Sequence, residues 1–309
     1  MNLAQALFAP RAVALVGASG DPAKNTARPQ RYLRKHGYRG RILPVNPGRE
    51  EVLGEKAYRS VAEAQGEIDH AFIMIEDVER ALHDCGRKGV PVATIYSNGF
   101  ADAGAAGMER QAKLVELARS LGVRLLGPNS MGVVDIPGRV ALTVNAILEI
   151  DRLPAGGASI VSQSGSMLGT VLSRGAARGL GFAKLVSVGN EADLGVGELV
   201  ELLAADADTQ VILLFLETIR DPARLAEAAR RAHGLGKPIV AYKLGRSAIG
   251  EALARSHTGA LAGGDAALDA YFRDCGIVRV DLLETLIEIT PLLAGRKPPD
   301  LSARDGWRS

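Results

Sequence analysis

His257 sits in the run Ser256-His-Thr-Gly259, with small residues on both sides and no apolar periodicity around it. An imidazole so placed can be approached closely, and with one ring nitrogen unprotonated near neutral pH it can act as a nucleophile. Taken alone, the pattern fits an idle loop histidine equally well. Glu217 follows the uniformly apolar run Val211-Ile-Leu-Leu-Phe-Leu216, which reads as a strand buried on both faces. A carboxylate at the end of such a strand needs a partner, whether Arg220, a helix N-terminus or a ring nitrogen of His257. The third candidate is Ser162-Gln-Ser-Gly-Ser166, between an apolar strand and a helix. Unpaired N–H groups at a helix start, with hydroxyls beside them, suit a phosphate, and Ser164, Gly165 and Ser166 would hold it. A serine N-cap that binds nothing has the same sequence.

These motifs agree with one another in a further way. Ser-His-Thr-Gly-Ala-Leu-Ala-Gly, residues 256–263, resembles the phosphohistidine loop of the NDP-forming acyl-CoA synthetases, relatives of the succinyl-CoA synthetase alpha subunit. Val-Ser-Gln-Ser-Gly, residues 161–165, is similar to that family's helix-start phosphate site, and Glu217 aligns with its histidine-holding glutamate. The resemblance runs over residues 7–293. It implies that His257 carries a phosphoryl group, that coenzyme A is a substrate, and that inorganic phosphate and an acyl-CoA are the other reactants.

Two layered domains must position these residues. Residues 11–20 are an apolar run stopping at glycine and small residues, the pattern of a first parallel strand entering a phosphate-cradling turn. Strand candidates at 41–45, 70–75, 93–96 and 124–126 alternate with helical stretches at 26–36, 78–88 and 107–121, which predicts an α/β fold with a doubly wound, mainly parallel sheet. Residues 133–154 read as an irregular connection rich in turn formers. After it the alternation resumes: strands at 158–161, 183–188, 211–216, 238–243 and 277–280, helices at 167–178 and 265–275, and a closing helix at 282–293. The expected division is a Rossmann-like domain over residues 1–136, a second domain over 137–295, flavodoxin-like by the resemblance, and a tail from 296 to 309.

The first turn lacks the full dinucleotide fingerprint, and the second strand ends in Val45-Asn-Pro47 where an NAD enzyme usually places an acidic residue for the ribose. NAD is therefore disfavoured. Coenzyme A carries a phosphate on its ribose, which basic residues would favour; Arg39, Arg41 and Arg49 flank that strand, and Lys24 and Arg28 follow the first turn. The resemblance puts the CoA contacts at Gly17, Ala18, Ser19, Lys24, Val45, Asn46, Pro47, Ile75, Ser97, Asn98, Gly99 and Asn129. The chain departs from the family at Glu76, Asn98 and Ser130, where proline, alanine and cysteine are usual.

Among the 309 residues, 47% are apolar and 23% charged, and 37 basic side chains nearly balance 35 acidic ones. That balance argues against a nucleic-acid-binding surface spread over the whole molecule. Cys85 and Cys275 lie far apart with no metal-type spacing, so no metal site is expected and a reducing cytoplasm suits the chain. No signal-peptide pattern and no apolar run long enough to span a membrane is present. There is no Walker-type phosphate loop either. In the family the magnesium-nucleotide site belongs to an ATP-grasp subunit or domain, so the resemblance implies such a partner, an oligomer, and a ligase incomplete without it. The alternative is a non-catalytic CoA or acyl-CoA sensing module, like the related regions fused to protein acetyltransferases.

Overall fold

The computed structural model describes residues 1–245 and 265–296. The first half runs α1 (Leu3–Phe8), β1 (Ala12–Val16), α2 (Arg28–Lys35), β2 (Arg41–Val45), a small hairpin β3 (Glu51–Val52) and β4 (Glu55–Lys56), β5 (His70–Ile73), α3 (Val78–Lys88), β6 (Val92–Ile95), α4 (Ala105–Ser120) and β7 (Arg124–Leu126). Five strands form one sheet in the order β2-β1-β5-β6-β7, with every neighbouring pair parallel. The register sets Val16 opposite Val45 and Ile73, and Ile73 opposite Ile95, so the turns that follow leave from one level of one edge. Helices cover both faces, which is why β1, β5 and β6 are buried throughout and show no alternation.

The second half contains β8 (Gly132–Asp135), β9 (Val140–Thr143), β10 (Ala155–Ser162), α5 (Gly165–Ala177), β11 (Phe182–Ser187), α6 (Val196–Ala205), β12 (Val211–Leu216), α7 (Pro222–Gly234), β13 (Ile239–Lys243), α8 (Asp265–Asp274), β14 (Ile277–Val280), α9 (Leu283–Glu288) and α10 (Thr290–Leu293). Its seven-stranded sheet has the order β14-β13-β12-β10-β11-β8-β9. Five strands are parallel, while β8 and β9 add an antiparallel edge. Here too the carboxyl ends are level: Ser162 lies opposite Ser187 and Phe215, and Leu216 opposite Lys243.

Two expectations are corrected. Residues 133–154 are not an irregular connection, because β8 and β9 form a fully buried hairpin on the second sheet, straddling residue 136. The closing helix is two helices, since Pro291 has no N–H for the ladder and the chain restarts its helix there. One buried cluster is continuous from Leu15 and Phe72 of the first sheet through Val133 and Leu142 to Val186 and Leu214 of the second. The hairpin thus joins the two sheets through a shared core. Among the described residues, no helix is long and apolar enough to cross a membrane.

Candidate functional site

The turn between β10 and α5 is built by its own hydroxyls. Ser162 Oγ donates to the Ser164 carbonyl at 2.6 Å, and Ser164, in extended conformation, caps α5 by accepting from Met167 N–H at 3.4 Å. The serine is therefore a true N-cap, and it also faces a cavity. Ser166 Oγ lies 3.2 Å from Ser164 Oγ. By helix geometry the first amides of α5 have no intrahelical acceptor, and their partial positive charge favours an anion at this point. Gly165 is required by space: a Cβ there would come within 2.5 Å of Met131 Cγ.

Ser164, Gly165, Ser166 and Glu217 line a single cavity of about 450 Å3, together with Gln163, Asn129, Met131, Asp102, Asn190 and Arg220. The phosphate turn and the strand-end carboxylate therefore open on the same side of the second sheet, as adjacent parallel strands with level ends require. His257 lies outside the described residues.

Gln163, quoted above only as part of a motif, ties this site together. Its side-chain oxygen accepts from the N–H groups of Glu217 and Thr218, the latter at 2.9 Å. Its amide nitrogen donates to the Thr218 carbonyl at 2.9 Å and to the Glu191 carboxylate. The other oxygen of Glu191 accepts from Val196 N–H at 2.9 Å, at the start of α6. Burial pushes the Glu191 carboxyl above the usual carboxylate range, against the pull of these donors and of Arg220. The backbone that presents Glu217 is thus fixed from below by one amide side chain.

On the first sheet, Gly17 leaves β1 at φ +87°, and its N–H donates to the Val45 carbonyl at 2.9 Å. A side chain at Gly17 would strike Ile75 Cγ2 at 2.6 Å. Asn46 Nδ2 donates to the Ala18 carbonyl at 2.9 Å, so the ends of β1 and β2 are bound together. Ser19 accepts from Asp21 N–H at 3.1 Å, exposed Lys24 precedes the short helical turn Asn25–Ala27, and Pro47 is exposed. Ala18 and Val45 are buried and can offer a ligand only backbone. Ser97, Asn98, Gly99 and Asn129 line a second cavity of about 810 Å3 with Glu76 and Arg110, and Ser97 Oγ donates to the Ile75 carbonyl at 2.5 Å. All twelve expected CoA positions lie at or after the carboxyl ends of parallel strands on one edge.

Some expected neighbours do not belong to this edge. Arg41 opens β2 at the opposite end and spends its guanidinium on the Gln65 and Glu67 carbonyls, and Arg39 precedes it. Ser130 is fully buried, and its hydroxyl donates to the Ser187 carbonyl at 2.5 Å, so it contributes to neither cavity wall. Among the described residues, no cluster of His, Cys, Asp and Glu has the make-up of a metal site.

Residues 11–135 match a CoA binding domain, and residues 155–293 match a succinyl-CoA ligase like flavodoxin domain. The alpha subunit of ADP-forming acetate–CoA ligase I from Pyrococcus furiosus is 39% identical over 281 residues, covering 89% of this chain and 60% of the relative. An ADP-forming acetate–CoA ligase from Methanocaldococcus jannaschii is 35% identical over 298 residues, covering 96% and 41%. The structure of acetyl-coenzyme A synthetase 1 from Ca. Korarchaeum cryptofilum, in complex with phosphate and ADP, superposes with a TM-score of 0.88 at 32% identity, covering 95% of this chain and 62% of that one. The chain carries a CoA binding domain followed by a succinyl-CoA ligase like flavodoxin domain, and over nearly its whole length it is similar to ADP-forming acetate–CoA ligases. It spans between about two fifths and three fifths of the length of these relatives.

In this two-domain chain the loop 189–194 clasps the two domains. Asn190, Ala192 and Leu194 N–H donate to the carbonyls of Pro128, Gly127 and Leu125 at 2.8, 3.1 and 3.0 Å. Asn190 Nδ2 donates to Asp102 at 2.8 Å and to Gln111 at 3.1 Å. Burial would raise the Asp102 carboxyl, but the Asn190 amide and the Gly99 and Phe100 N–H groups hold it below the ordinary carboxylate value. Arg124 closes the clasp with a 2.9 Å ion pair to Asp193 and a bidentate one to Glu198. Gly189 meets Pro128 so closely that a Cβ would lie 2.2 Å from its carbonyl oxygen.

Proposed function

We propose that this chain is the CoA-binding and phosphoryl-accepting part of an ADP-forming acyl-CoA synthetase, acting in the cytoplasm within an oligomer. Residues 1–136 bind CoA, residues 137–295 carry the phosphohistidine site, and residues 296–309 form a tail. An ATP-grasp subunit or domain supplies the magnesium-nucleotide site.

The reaction begins with phosphate held by the α5 amides and the hydroxyls of Ser164 and Ser166. A phosphate oxygen attacks the thioester carbonyl; the C–S bond breaks, the thiolate leaves and takes a proton as CoA, and an acyl phosphate remains. His257, with one ring nitrogen bonded to Glu217, attacks phosphorus through the other; the bond from phosphorus to the acyl oxygen breaks and the carboxylate departs. ADP then takes the phosphoryl group as the P–N bond breaks. Positioning and charge stabilisation matter most in such transfers, and the turn supplies both.

The observation that carries this reading is that the Ser164 turn and Glu217 share one cavity, which meets the Ser97–Asn129 cavity of the CoA side at Asn129 and Met131. The segment bearing His257 is attached at the same edge: Leu244 N–H, one residue before Gly245, donates to the carbonyl of Leu216, which precedes Glu217, at 2.8 Å. Incubation with labelled phosphate and acetyl-CoA tests it. The expected product is acid-labile, base-stable label on the chain, with stoichiometric CoA release in the wild type; the label is absent in His257→Ala. Tight CoA binding with no label would mark the chain as a sensing module instead.

A further inference from the structure

We propose that Met131 determines which acyl groups the chain accepts, limiting them to short, unbranched, apolar ones; this deepens the acyl-CoA reading above and rests on it. Three cavities open along the carboxyl edges of the two sheets: the phosphate-turn cavity of about 450 Å3, the Ser97–Gly99 cavity of about 810 Å3, and a third of about 640 Å3 between Arg28 and α5. Met131 lines all three. Its neighbours are each shared by two: Asn129 by the first and second, Tyr96 by the second and third, Ser166 by the first and third. The methionine side chain is therefore the partition where the three spaces meet. A thioester whose CoA body lies on the first sheet's edge, and whose carbonyl must reach a phosphate at Ser164–Ser166, places its acyl group at that partition.

The backbone of Met131 is fixed by hydrogen bonds, while its side chain is held mainly by packing. Its N–H donates to Ser187 Oγ at 3.0 Å, and its carbonyl accepts from Thr143 Oγ1 at 2.6 Å and Val144 N–H at 3.2 Å. Beyond Cβ it is half-buried, packed over the bare Cα of Gly165, with only a 3.7 Å contact from Asn145 Nδ2 to its sulfur. An unbranched thioether with three rotatable bonds adapts to fill such a gap. It offers contact to methylenes and no charge to a second carboxylate, so an apolar acyl chain is the class it fits. Ser130, one residue earlier and buried, cannot take this role.

The test compares wild type with Met131→Ala, Met131→Phe and the near-isosteric Met131→Leu in the full chain. Phosphate-dependent CoA release is measured with acetyl-, butyryl-, isobutyryl- and benzoyl-CoA, alongside the calorimetric affinity of each thioester relative to free CoA on the same variant. One methylene in an apolar pocket is worth about 10-fold to 200-fold in discrimination. Met131→Ala should raise the butyryl-to-acetyl ratio by about tenfold or more, Met131→Phe should lower it comparably, and Met131→Leu should stay near wild type. Ratios equal in all four proteins, or moving the same way in the Ala and Phe variants, overturn the assignment. Absence of CoA release from every protein would strike the synthetase reading, while the affinity ratios would still decide the role of Met131.

Discussion

Replacing Gln163 by leucine keeps the volume at the base of the cavity and removes all of its hydrogen bonding. Glu217 N–H, Thr218 N–H and the Thr218 carbonyl lose their side-chain partner, and Glu191 loses one donor. At about 1 kcal/mol per bond, four bonds set an upper figure of about 4 kcal/mol, and water from the open cavity recovers part, leaving about 2–3 kcal/mol. Since 1.4 kcal/mol is a factor of ten, amide hydrogen exchange at residues 217 and 218 should accelerate by roughly 30-fold to 150-fold. The strand just before them is a built-in reference: the β12 amides are held by β10 and β13 and should exchange as in wild type. Gln163→Glu sharpens the test, because it turns a carboxylate toward the Thr218 carbonyl and Glu191. Its exchange at 217 and 218, taken as the ratio to wild type at the same pH, should be most accelerated at neutral pH and return towards one on acidification, when a protonated carboxyl can donate as the amide did. Exchange at 217 and 218 within about threefold of wild type in Gln163→Leu, or equal acceleration throughout β12, would refute this account of how Glu217 is positioned.

Two further predictions concern the clasp between the domains. Gly189→Ala places a side chain at φ +64° and 2.2 Å from a carbonyl oxygen that is itself backbone, so it should cost about 3 kcal/mol or more and lower the midpoint of thermal unfolding. Asn190→Asp exchanges the 2.8 Å donor to Asp102 for a second carboxylate. In wild type the lowered Asp102 value means that its contribution to stability is present above the ordinary carboxylate pKa of about 4 and is lost as pH falls through the folded-state value. In the variant the sign reverses, so urea unfolding should show it much weaker than wild type at pH 7 and nearly equal to it near pH 4.

How legible the molecule was in its residues depended on the range of the signal. Strands such as Val211–Leu216 could be read because burial on both faces leaves an uninterrupted apolar run, and the Ser164 cap because its partner is three residues away. The β8–β9 hairpin could not. Its four-residue strands are buried on both sides and carry no alternation, while Gly132, Pro137 and Gly138 around them give the stronger local signal of a turn. Gln163 was visible within a motif, but its partners Glu217 and Glu191 are 54 and 28 residues away, a relation only the sheet order creates. The clasp was hidden for the same reason. Asn190 pairs with Asp102 across 88 residues, and nothing in the local composition of either loop indicates the other.

The same topology accounts for why the candidate site residues lie where they do. In a parallel sheet every strand-to-helix turn leaves from the same edge, so Ser164 after β10 and Glu217 after β12 become neighbours once those strands pair in register. That rule acts within one sheet, and the proposed acyl transfer from CoA to phosphate needs the carboxyl edges of two sheets to face each other. Residues 125–128 accepting from 190–194, the bidentate Arg124 pair and the shared core through β8 and β9 meet that requirement. Because Asn129 and Met131 follow directly from the clasped segment, any slip of one domain on the other moves the walls of the cavities they line. In the proposed reaction the clasp would fix the distance between CoA and phosphate, while the adaptable methionine beside it would fit the acyl group into the space that remains.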